Sequence, residues 1–73
     1  MMVREKLTEK DREDVFGTYM SYIAAGYPRH IAISKTWTDW KLFLRKRGYR
    51  KEDMIRIISE KLAGLRRRNL GLT

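Results

Sequence analysis

Side chains able to make or break bonds are scarce in this sequence. It holds one histidine, His30, and no cysteine, so thiolate nucleophiles, thiolate metal ligands and disulfides are excluded. A base or a metal ligand needs partners, and none stands at ligand spacing from His30. Four carboxylates, Glu9, Asp11, Glu13 and Asp14, crowd one short stretch. They fall where a helix begins, and the positive end of the helix dipole favours acids there whatever the function. No glycine-rich loop of the phosphate-cradling kind is present. The expectation is a protein that is not an enzyme and has no metal, cofactor or small-molecule substrate.

What the sequence has in abundance is cations. Seventeen Lys and Arg against nine Asp and Glu give a net charge of +8. Residues 1–33 carry five of each sign, whereas residues 34–73 carry twelve basic and four acidic side chains. The whole excess therefore lies in the later forty residues, and a polyanion is the partner it suggests. Lys46, Arg47, Arg50 and Lys51 surround Gly48 in a basic knuckle suited to phosphates. Arg66, Arg67 and Arg68 are consecutive, so on a helix they diverge by 100° each and at most two face one partner.

These residues must be positioned by helices. Thr8 with Asp11 forms a T-x-x-D start, and Val15, Phe16, Tyr19, Met20, Tyr22 and Ile23 recur at helical spacing until Gly26 and Pro28. This predicts a helix over about 9–25, with Gly17 marking the close approach of another element. Pro28 opens a second, short helix over 29–34, with a strand there as the alternative reading. Thr36 to Asp39 repeats the T-x-x-D signature and begins a third helix that Gly48 closes. A fourth begins near Lys51 and carries Met54, Ile55, Ile58, Leu62 and Leu65 inward, leaving Ile57 off the stripe as an exposed residue for a protein partner. The expected fold class is all-α: a compact four-helix domain containing a helix-turn-helix-like unit. At 73 residues the chain makes one small helical domain, with 1–8 flexible and 70–73 frayed.

The segment from Tyr22 to Arg47 loosely resembles the helix-turn-helix of phage and mobile-element DNA-binding proteins. Ala32 matches the small residue that lets two helices approach, and Thr36 stands where such motifs have glycine in the turn. Trp37, Thr38 and Leu42 match the apolar, hydroxyl and later apolar positions. The resemblance implies that the helix from Trp37 is a recognition helix. Its wheel, read independently, gathers Trp37, Trp40, Phe43 and Leu44 inward and Thr38, Lys41, Leu42 and Arg45 outward. The outward set combines long cations, a hydroxyl and an apolar patch able to meet base edges and a thymine methyl. Lys35, Lys46, Arg47, Arg50, Lys51, Arg66 and Arg67 are then the phosphate contacts.

The function this supports is a small basic DNA-binding transcription regulator or mobile-element accessory factor with double-stranded DNA as partner. A second expectation is a phage-type adaptor that docks on an acidic protein surface, such as RNA polymerase, with Leu42 or Ile57 as its apolar anchor. A third is an RNA or single-strand binder that stacks bases on Trp37, Trp40, Tyr27 or Tyr49. The apolar runs are too short to span a bilayer and Met-Met-Val-Arg-Glu-Lys has no signal-peptide core, so a cytoplasmic location is expected.

Overall fold

The computed structural model describes the chain from residue 5 to residue 71, with side chains described for 5–68. Three helices follow one another: α1 (Glu9–Ala24), α2 (Arg29–Lys46) and α3 (Lys51–Gly71). No strand occurs among the described residues, and 29–34 is helical.

α1 begins as its residues dictate. The Asp11 amide donates to Thr8 Oγ1 at 3.0 Å and the Asp11 carboxylate accepts from the Thr8 amide at 3.2 Å, a reciprocal capping box. α1 and α2 end by the same device. Gly26 (φ 97°) and Gly48 (φ 85°) adopt the left-handed conformation that glycine enters without steric cost. Around each, two backbone bonds run back to the last turn: Gly26 to Ile23 and Tyr27 to Tyr22, then Gly48 to Arg45 and Tyr49 to Leu44. This is the Schellman pattern, and its apolar contact is visible where the Tyr27 and Tyr22 rings meet edge-on at 5.8 Å. Pro28 then starts α2 by accepting the Ala32 amide at 2.9 Å.

The four-helix expectation is corrected here, because α2 runs unbroken for 18 residues through the anticipated turn at Lys35 and Thr36. Thr36 is fully buried and donates its hydroxyl to the Ala32 carbonyl at 2.7 Å. It satisfies itself on the preceding turn, and no glycine or proline interrupts the helix at that point. The T-x-x-D signature of 36–39 is therefore not a cap, and Asp39 instead accepts from Tyr22 Oη at 2.5 Å. The helix-turn-helix register drawn through Thr36 has no turn to stand on.

The core takes Leu7, Val15 and Tyr19 from the first part of the chain, Ala32 and Leu44 from α2, and Met54, Ile57 and Ile58 from α3. Two expectations change with it. Ile57 is 8% exposed and belongs to the core, because α3 turns a face wide enough for both Ile57 and Ile58 toward α1 and α2. Leu7, placed by the sequence in a flexible leader, is buried, and the Glu5 amide donates to the Arg47 carbonyl at 3.1 Å. Residues 1–4 and 72–73 of the expected loose ends lie outside the described residues. Gly17 marks no close approach, since a Cβ added there meets nothing within 4 Å.

α1 packs most extensively against α2, while α2 and α3 touch least. From Leu65 to Arg68 the described residues of α3 are exposed, and the molecule measures 47 × 26 × 18 Å.

Candidate nucleic-acid interface

The loose contact between α2 and α3 leaves an open groove of about 1090 Å³. The later half of α2 supplies Trp37, Lys41 and Arg45, the connecting turn supplies Gly48, Tyr49 and Arg50, and the first turn of α3 supplies Lys51, Glu52 and Asp53. Four cations thus face two carboxylates. One of these is already engaged, for Asp53 Oδ2 accepts the Arg50 amide at 2.8 Å and fixes the entry to α3. Among the described residues, Lys41, Arg45, Arg50 and Lys51 enter no ion pair.

Beside the groove, the four residues expected to face bases do share one exposed surface. Thr38, Lys41, Leu42 and Arg45 follow i, i+3, i+4, i+7 spacing on α2, and all four are exposed. Leu42 is 83% exposed, so it is not tucked against a neighbouring helix. The Thr38 hydroxyl spends its proton on the Ser34 carbonyl at 3.0 Å and keeps its lone pairs outward. Lys41 and Arg45 belong both to this face and to the groove wall.

The residues expected to meet phosphates divide into four groups. Lys46, Arg50 and Lys51 lie at the groove end of the molecule, the first two exposed and Lys51 half-buried. Arg47 is turned away into structural work: its guanidinium lies 3.6 Å from the Phe43 ring centroid, donates to the Phe43 carbonyl at 3.0 Å and pairs with Glu5 at 3.8 Å. Lys35 is held over Tyr27 and Tyr22, 4.8 and 5.8 Å from their centroids. Tyr22 donates to Asp39 beside it, and that carboxylate holds the phenol above its ordinary value. Arg66 and Arg67 are exposed but begin about 22 Å along α3 from Lys51 at 1.5 Å per residue, far from the groove.

The acidic stretch at the start of α1 also has an occupant. Lys61 of α3 donates to Glu9 and to Glu13, the latter at 2.8 Å. The contact pushes the ammonium up and the Glu9 carboxyl down from their usual values. Among the described residues no group of three or more His, Asp or Glu is arranged to hold a metal ion, and no described helix is long and apolar enough to cross a membrane.

Sequence reasoning placed Trp37 in the core and gave it an outer, base-stacking surface only in the third expectation. Trp37 packs on the core from one side and lines the groove from the other. The signal was present in the wheel, where Trp37 lies only 40° from Lys41 and so at the border between the inward and outward faces. Trp40 differs, because its indole nitrogen donates to Thr18 Oγ1 at 3.0 Å and its ring meets Phe43 edge-on.

Comparison with known proteins returns no significant match to a protein family, to a curated protein or to a solved structure.

Proposed function

We propose that this protein binds double-stranded DNA, as a small transcription regulator or mobile-element accessory factor, by laying the exposed face of α2 along a groove of the duplex. The observation that carries the reading is the convergence of Thr38, Lys41, Leu42 and Arg45 on one exposed face that runs into a wall of cations from the α2–α3 turn. A helix of this width enters the major groove of B-DNA. Lys41 and Arg45 then reach base edges, Leu42 offers an apolar contact to a thymine methyl, and Lys46, Arg50 and Lys51 take the flanking phosphates. This arrangement does not depend on the helix-turn-helix register, since α2 is itself a continuous 18-residue helix with one face clear of the bundle.

The test is fluorescence anisotropy of a labelled duplex titrated with the protein at low and at physiological salt. Binding that weakens steeply as salt rises supports the reading, because each neutralised phosphate releases counterions. Absence of binding at low salt refutes it. The exposure of Leu42 favours a second reading, an adaptor that sets this leucine into an acidic protein surface. That reading gains ground if the protein shifts no duplex yet retains a polymerase or ribosomal subunit by a contact that Leu42→Asp abolishes.

A further inference from the structure

The groove between α2 and α3 carries a feature that duplex binding does not use. Trp37 is half-buried and lines the groove, and its indole N–H, unpartnered among the described residues, is not a buried atom but one open to solvent. Trp40, by contrast, commits its indole N–H to Thr18 Oγ1. Tyr49 lines the same groove, and Lys41, Arg45, Arg50 and Lys51 form its rim. An aromatic wall with an open donor, bordered by four cations, is the chemistry that receives one unstacked base with its phosphates on either side. A paired base in the middle of a duplex cannot reach Trp37, because its faces are covered by its neighbours.

We infer that Trp37 and the surrounding cations form a pocket for an unpaired nucleotide, so that the preferred substrate is duplex DNA carrying a single-stranded extension. This rests on the duplex-binding reading above and names its substrate class. Lys41 and Arg45, shared by the helix face and the groove wall, place such an extension directly beside the duplex that α2 engages.

The experiment compares a blunt duplex with the same duplex bearing a short thymine overhang, using the full chain. Trp40→Phe leaves Trp37 as the only indole of the two in the sequence, so its emission reports on the groove alone. The overhang duplex should bind at least about fivefold tighter than the blunt one, the lower end of a base–aromatic stack. The overhang should quench Trp37 emission, and the blunt duplex should not. Trp37→Leu should bring the overhang duplex to the affinity of the blunt one, whereas Trp37→Phe, which keeps a ring, should retain part of the preference. Circular dichroism confirms that each variant is folded, and the quenching arm requires no change at Trp37. Equal affinity for both duplexes without quenching overturns the pocket and leaves duplex binding standing. Failure to bind either duplex overturns both.

Discussion

Arg45 and Arg50 are separated by a few residues and by very different demands. Both are exposed, Arg45 on the outer face of α2 and Arg50 in the α2–α3 turn; on the duplex proposed above, Arg45 would bond two acceptors of one base and Arg50 a backbone phosphate. Arg45→Ala should therefore relax sequence preference at one base-pair position, by about 1–3 kcal/mol of discrimination. Arg50→Ala should weaken binding to every duplex alike and reduce the salt slope by about 1, both read from anisotropy titrations over a small panel of duplexes. A different charge governs stability. The Glu9 carboxyl is lowered by the hydrogen bond and charge of Lys61, so its contribution is present above the ordinary value of 4.5 and lost as pH falls through the lowered one. The Lys61 ammonium is raised by its bonds to Glu13 and Glu9, so its contribution is present below 10.5 and lost as pH rises through the raised value. Lys61→Met should accordingly lower the melting temperature at neutral pH, and the gap from the parent protein should close in strong acid and in strong base. A gap independent of pH would show that the aliphatic stem of Lys61, not its charge, joins α3 to α1.

At the scale of the element, α2 is the decisive case. A glycine at the supposed turn would suit a helix-turn-helix, but in a continuous helix it adds backbone entropy to the unfolded chain and removes a buried side chain. Thr36→Gly should thus destabilise by at least about 1 kcal/mol in urea unfolding, and an unchanged midpoint would restore the turn. Gly17 supplies the opposite prediction in α1. It is exposed, inside the helix, and open to a Cβ on every side. Gly17→Ala should stabilise by about 0.5–1 kcal/mol through the unfolded state, measured by the same unfolding curve.

For the whole molecule, charge is sorted by pairing. Glu5 takes Arg47, and Glu9 and Glu13 take Lys61, so carboxylates of the neutral first half cancel two cations of the second. The four cations of the groove enter no such pair among the described residues. The three cations assigned to phosphates, Lys46, Arg50 and Lys51, correspond to a slope of roughly −3 in a plot of log affinity against log salt, and Arg50→Ala with Lys51→Ala should lower it by about 2. A slope near zero would mean that the groove meets no polyanion. Much of this was legible in the residues alone. Thr8 with Asp11, Gly26 with Pro28 and Gly48 marked helix ends through backbone bonds that span only a few residues, and the 3.6-residue period put Thr38, Lys41, Leu42 and Arg45 on one face. Both are local properties, which a one-dimensional pattern carries in full. Tertiary packing alone decided that Thr36 is buried within an unbroken helix, that Ile57 and Leu7 are core, and that Arg47 turns to Phe43 and Glu5. It also decided that Trp37 borders a groove. Each of these depends on which other helix lies opposite, a relation between residues distant in sequence that the periodicity of a single helix does not contain.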